Sequence, residues 1–306
     1  MKKKTNVIIL AGFLGSGKTT LLKQLLKYEK AHNHKTGVLM NELGTVSIDS
    51  DAVPGDVPLK ELLNGCICCS LSDQLEKQLW SLCKENELDT LIIEATGAAH
   101  PIDVLDACLS PYLLEDLHVS GIISIMDATR WLDRDKMNVQ AKMLMLEQIK
   151  HADFIIWNKT GSLSVEQKSV LESDAKRLND GTPYVLTDYS IVELSQLFSL
   201  SVKERSEHQP VTAEKLKVKT WMYTFQGPVK KDVFENWLRE APSSIYRIKG
   251  YIKYEDQQIY LFQYSYGLPS YEKEIMKMPL RLVFIGENLD VETLTKGLQD
   301  VERMSK

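Results

Sequence analysis

Five short apolar runs, at residues 7–10, 38–40, 91–93, 121–126 and 154–157, recur along the first half of the chain without polar alternation. Runs of that kind predict strands buried on both faces, as in a parallel sheet covered by helices. The segments between them carry helical spacing. Leu21, Leu22, Leu25 and Leu26 form one apolar stripe over residues 19–30, and residues 71–85 predict a second helix. Alternation of this type predicts a doubly wound sheet. Residues 201–219 are polar, include Pro210 and lack a strong apolar period, so their first part reads as a linker. Strands at 218–225, 245–254, 258–266 and 280–285, with helices at 231–239 and 291–303, then predict an antiparallel unit. The expected fold is α/β, with a doubly wound, mainly parallel sheet over residues 1–208 and a smaller C-terminal α+β domain over 209–306. Trp221, Tyr223, Phe225, Tyr246, Tyr251, Tyr260, Phe262 and Tyr264 stand at strand spacing in that second domain. They read as core and cross-strand packing.

Directly after the first run stands Gly12-Phe13-Leu14-Gly15-Ser16-Gly17-Lys18-Thr19-Thr20, in front of a predicted helix. This is the P-loop pattern in its required strand-to-helix context, and it makes the parallel domain a P-loop NTPase fold. Gly12, Gly15, Ser16 and Gly17 would let backbone N–H groups close on phosphate oxygens, with Thr20 in the same turn. Lys18 would answer the β/γ charge, and Thr19 would ligate Mg²⁺. Hydrolysis needs a carboxylate at a strand end and an element sensing the γ-phosphate. Glu94 ends the third run and Gly97 follows it, free to present a backbone N–H. Asp127 competes for the carboxylate role and reads better as a turn or helix-cap residue.

The fifth run ends in Asn158-Lys159-Thr160-Gly161. Guanine-specific NTPases carry Asn-Lys-x-Asp there, the carboxylate accepting from guanine N1 and the 2-amino group. Gly161 stands in the aspartate position, removing a charge-assisted contact worth about 1.5–3 kcal/mol. That loss leaves the base open between guanine, to which Asn158 and Lys159 point, and the base of another NTP.

The chain has 306 residues, 43% hydrophobic and 26% charged with net charge -5, which fits a globular protein of about two domains and offers no basic face for nucleic acid. No apolar run is long enough to span a bilayer. The basic Met1–Lys4 start imitates a secretory signal, but its apolar stretch is short and runs into the phosphate loop, so a cytoplasmic location is expected. Three of five cysteines crowd into Cys66-Ile67-Cys68-Cys69, too close for disulfide staples. They read as thiolate ligands for Zn²⁺, with Glu42, Asp49, His100 or water as the fourth ligand; a redox sensor and simple burial are the alternatives. Cys83 and Cys108 read as buried core residues.

Taken together these residues resemble the CobW-like family of P-loop GTPases, which includes zinc-transfer metallochaperones. The resemblance runs over essentially the whole chain. Its marks are the P-loop, Asn41-Glu42-Leu43-Gly44 with Asp49, Asn64-Gly65-Cys66-Ile67-Cys68-Cys69, and Glu94-Ala95-Thr96-Gly97-Ala98-Ala99-His100-Pro101. Tyr246-Arg247-Ile248-Lys249-Gly250 and Leu282-Val283-Phe284-Ile285-Gly286 are similar to the family's second domain. The resemblance implies a GTPase whose hydrolysis is coupled to binding zinc and transferring it to a metal-requiring client protein. It also nominates Glu42 as a metal-site or switch residue. The six histidines are scattered, which favours zinc handling over a nickel-storing subtype. A metal-responsive interaction protein with weak nucleotide binding and little turnover is the alternative, and homo-oligomerisation is left open.

Overall fold

The computed structural model describes residues 3–41, 57–62, 71–110, 113–202 and 218–305, apart from 266, 277 and 288. Residues 1–108 with 113–211 form one compact unit, and 212–306 with 109–112 form a second.

In the first unit the order is β1 (Thr5–Ala11), α1 (Lys18–Ala31), β2 (Thr36–Asn41), β3 (Leu59–Leu62), α2 (Leu71–Glu85), β4 (Thr90–Glu94), α3 (Pro101–Cys108), β5 (Leu117–Asp127), α4 (Ala128–Leu132), α5 (Val139–Lys150), β6 (Phe154–Asn158), α6 (Val165–Leu178), β7 (Tyr184–Leu186) and α7 (Leu194–Val202). The strands make a seven-stranded sheet ordered β3-β2-β4-β1-β5-β6-β7, and every pairing in it is parallel. β1 and β4 are buried along almost their whole length, as their unbroken apolar runs require. One face of the sheet packs Leu21, Leu22 and Leu25 of α1 against Ile8, Leu10, Val38 and Ile92. On the other side Trp131 of α4 and Met145 and Ile149 of α5 pack with Trp157 of β6. Because the strands run the same way, their C-terminal ends share one edge. Ala11, Asn41, Leu62, Glu94, Asp127 and Asn158 all stand there.

The second unit contains β8 (Val218–Thr224), α8 (Lys231–Arg239), β9 (Ile245–Lys253), β10 (Ile259–Ser265), β11 (Leu268–Glu274), β12 (Arg281–Glu287) and α9 (Val291–Ser305). Its sheet is antiparallel, ordered β11-β10-β9-β12-β8. Phe234 and Leu238 of α8 and Leu294 and Leu298 of α9 pack with Ile248, Ile252, Phe262 and Phe284. Tyr223, Phe225 and Phe262 belong to this core, and Trp221, Tyr260 and Tyr264 pack around it. Tyr246 and Tyr251 are also buried.

A parallel α/β sheet followed along the chain by an α+β unit is the fold the residue pattern predicts. Three strands, β3, β7 and β11, are additions to that reading, and each is an edge strand of its sheet.

Candidate functional site

At the end of β1 the chain turns through the glycine-rich loop into α1. Gly17, at φ 114°, takes the N-cap position of that helix, so no side chain caps its first turn. The helix N–H groups are left to an external anion. The loop lies flush on its neighbours: a Cβ added to Gly12 would fall 2.1 Å from the Ile125 carbonyl oxygen, and one on Gly17 2.4 Å from Asn158 Nδ2. Gly15, at φ 74°, has nothing among the described residues within 4 Å of an added Cβ. The Ser16 hydroxyl is buried beneath the loop, with no hydrogen-bond partner among the described residues. Lys18 is buried, its Nζ donating to the Gly12 carbonyl at 3.0 Å. A cradle of backbone donors closed by a low-exposure ammonium fits a polyphosphate. Thr20 is exposed on the first turn of α1.

The Thr19 hydroxyl donates to Glu94 Oε1 at 2.8 Å. Glu94 ends β4 and is buried, so the sheet register brings a hard hydroxyl and a carboxylate together beside the phosphate cradle. That donor set suits Mg²⁺. Gly97 meets the loop directly. A Cβ there would lie 2.5 Å from the Leu14 amide nitrogen. Asp127 plays the cap role expected of it, accepting from Arg130 N at 3.1 Å at the start of α4. Burial opposes its ionisation, but donation from Lys159, the Thr129 hydroxyl and the Arg130 amide outweighs burial and holds its carboxyl below the usual range. Arg130 is a residue the sequence reading missed: its guanidinium donates to the Leu14 carbonyl at 2.9 Å and lies 5.2 Å from the Phe13 ring centroid.

Asn158 ties three segments together. Its Nδ2 donates to the Ser16 carbonyl at 2.7 Å, and its Oδ1 accepts from Ser190 N at 2.9 Å. Ser190 Oγ in turn donates to the Gly17 carbonyl at 3.1 Å. Lys159, at φ 64°, sends its ammonium to Asp127 Oδ2 at 2.6 Å. The Gly161 amide donates to Asp188 Oδ1 at 3.1 Å.

Residues 6–186 match the CobW/HypB/UreG nucleotide-binding domain, and residues 218–302 match the cobalamin synthesis protein CobW C-terminal domain. The chain belongs to the CobW/HypB/UreG family. It is 31% identical over 264 residues to the zinc chaperone YjiA of Escherichia coli, covering 80% of each protein. It is 27% identical over 309 residues to the zinc-regulated GTPase metalloprotein activator 1 of Schizosaccharomyces pombe, covering 84% of this chain and 74% of that protein. A crystal structure of Zn(II)-bound YjiA GTPase from E. coli is 24% identical, covering 98% of this chain and 99% of that one at a TM-score of 0.49.

In this CobW/HypB/UreG chain the expected zinc ligands Cys66, Cys68, Cys69 and Glu42, and also Asp49, lie outside the described residues. His100 is described, and it stands with Glu147 and His151. His151 Nε2 lies 2.9 Å and His100 Nε2 3.5 Å from Glu147 Oε2. The trio's ligand atoms all lie within 4.8 Å of one another, a spacing that could hold an ion, so His100 stays a candidate ligand. Its Nδ1 accepts from the Ile102 amide at 3.2 Å. Donation from His100 and His151 outweighs burial and holds the Glu147 carboxyl far below the usual range. Cys108 is buried, and burial pushes its thiol pKa strongly upward, as a packing residue requires. Cys83 is only half-buried, a correction to its assignment as core.

Proposed function

We propose that this chain is a GTP-hydrolysing zinc chaperone: it binds Mg²⁺ and a guanine nucleoside triphosphate at the phosphate loop, and hydrolysis governs zinc passed to a metal-requiring client protein. Lys18 and the loop amides of residues 15–20 hold the phosphates. Thr19 ligates Mg²⁺ with Glu94 beside it, and the Gly97 amide senses the γ-phosphate. Cys66, Cys68, Cys69 and Glu42 hold Zn²⁺ by the resemblance of their motif, and the names of the YjiA and metalloprotein-activator relatives support zinc as cargo.

The observation that carries the coupling is the sheet register. Asn41 pairs with Leu62 at the shared strand edge, and Met40 pairs with Glu94. Asn41 and Leu62, the last described residues before Glu42 and before the cysteines in sequence, therefore end beside one another and close to Glu94. Two ligands anchored on neighbouring strands have a short route by which each biases the affinity of the other.

The test is phosphate release by metal-free protein with Mg²⁺, using GTP and ATP, before and after one equivalent of Zn²⁺. GTP turnover that changes with zinc is expected, and Lys18→Ala should abolish it while zinc stoichiometry stays intact. Turnover of neither nucleotide would replace this reading with the interaction-protein alternative.

A further inference from the structure

The geometry points to Asp188, in the turn after β7, as the residue that reads guanine in place of the aspartate that Gly161 lacks. The inference rests on the guanine-nucleotide reading above and names the residue that makes it selective.

β6 and β7 are parallel neighbours, with Trp157 opposite Leu186, so residues 158–161 and 187–190 emerge side by side. The Thr187 amide donates to the Trp157 carbonyl at 2.8 Å, and the Thr160 amide donates to the Thr187 carbonyl at 3.1 Å. Asp188 is thereby carried against Gly161. A Cβ built on Gly161 would stand 2.6 Å from Asp188 Oδ2 and 3.2 Å from its Cγ. An aspartate's own carboxylate oxygens lie about 2.4 Å from its Cβ by standard bond lengths. The Asp188 carboxylate thus stands beside the position a side chain at 161 would take, its Oδ2 at nearly the distance an aspartate's own oxygen keeps and its Oδ1 at 3.4 Å, and glycine is what leaves that space open.

The carboxylate is held for the task. Oδ1 accepts from the Gly161 amide, and a carboxylate has about four acceptor sites, so both oxygens keep capacity for the N1–H and 2-amino donors of guanine. The turn behind it is over-determined. Tyr189 and Ser190 both take positive φ, 54° and 53°, which residues with side chains adopt only when the surroundings enforce it. Gln24 Nε2 donates to both of their carbonyls, at 3.0 and 3.1 Å, and Ser190 is locked to Asn158 and Gly17. The same turn that fastens the phosphate loop therefore carries the carboxylate, on a scaffold with little freedom to wander. Asp188 itself is half-buried.

The experiment measures binding of GTP, ATP and xanthosine triphosphate to the full chain and to Asp188→Asn. Xanthine carries a carbonyl where guanine has its 2-amino group, so the asparagine amide should lose guanine and gain xanthine. A fall of about ten- to a hundred-fold in GTP affinity with a rise for the xanthine nucleotide is expected, and magnesium tripolyphosphate, which has no base, should bind unchanged. An unchanged preference between the two purines in Asp188→Asn would overturn the assignment while leaving the GTP reading standing. Wild-type protein that binds neither purine nucleotide, or prefers ATP, would overturn both. Gly161→Asp gives an independent check, because its side chain would meet Asp188 at like charge. Alone it should weaken GTP binding, and Gly161→Asp with Asp188→Gly should recover it; tighter binding by the single variant would place Asp188 elsewhere.

Discussion

Gly97 shows how little room single residues have at this site. Its Cα faces the Leu14 amide so closely that one methyl group would lie 2.5 Å from the nitrogen, a backbone atom on the phosphate loop that cannot swing aside as a side chain would. Gly97→Ala must therefore move either the loop or the turn after β4. The expected outcome is a loss of GTP turnover of tenfold or more with nucleotide binding largely kept, because the sensing amide is displaced while Lys18 and the helix N-terminus stay in place. Single-turnover phosphate release beside equilibrium binding checks it; unchanged turnover would remove Gly97 from the sensor role. The P-loop, Glu94 and Gly97 are local patterns on strand ends, so this part of the candidate site could be nominated residue by residue from the sequence. The base site could not. Its carboxylate stands 27 positions beyond the glycine it touches, and the sequence signal that could have found it is an aspartate just past a strand that neighbours β6.

At the scale of elements, legibility follows burial. β1, β4 and β6 are covered on both faces, so their sequences are continuous apolar runs and were readable. The strands missed are all at sheet edges: β3, the three-residue β7, and β11, most of whose residues are exposed. An edge strand owes its place to one neighbour's hydrogen bonds, and its own side chains need not be apolar. α4, only five residues long, was also invisible to periodicity and depends on its cap. Asp127 accepts from the Arg130 amide there and pairs with Lys159 of the base-site segment. Asp127→Ala should cost about 1 kcal/mol or more at neutral pH from the cap alone. The sign of its pH dependence follows from the lowered carboxyl pKa. A carboxyl more acidic folded than unfolded stabilises the protein above its unfolded pKa of about 3.9 and loses that contribution as pH falls through the folded value. The difference in denaturation midpoint between wild type and Asp127→Ala should therefore hold from pH 7 to about 5 and shrink below about 4. A difference that grows on acidification would contradict the assignment.

For the whole molecule, the consequence of one shared strand edge is thermodynamic. If zinc at the cysteine segment and nucleotide at the phosphate loop are linked through β2, β3 and β4, the linkage is a single coupling free energy, and it acts equally in both directions. Zinc should change the affinity for a non-hydrolysable GTP analogue by some factor, of the order of tenfold for an ordinary allosteric coupling, and the analogue should change zinc affinity by that same factor. Because the factor belongs to binding and not to turnover, it must be measured with hydrolysis blocked. The sign carries the biology: a triphosphate form that tightens zinc makes hydrolysis the releasing step, whereas one that weakens zinc makes nucleotide binding the releasing step. Replacing Cys66, Cys68 and Cys69 together by serine should bring the factor to one while leaving analogue affinity in the absence of zinc where it was. Two unequal factors cannot arise at equilibrium by any route, and would mean that hydrolysis or unequilibrated metal had entered the measurement. A factor of one in the unaltered protein would mean that zinc and nucleotide bind independently.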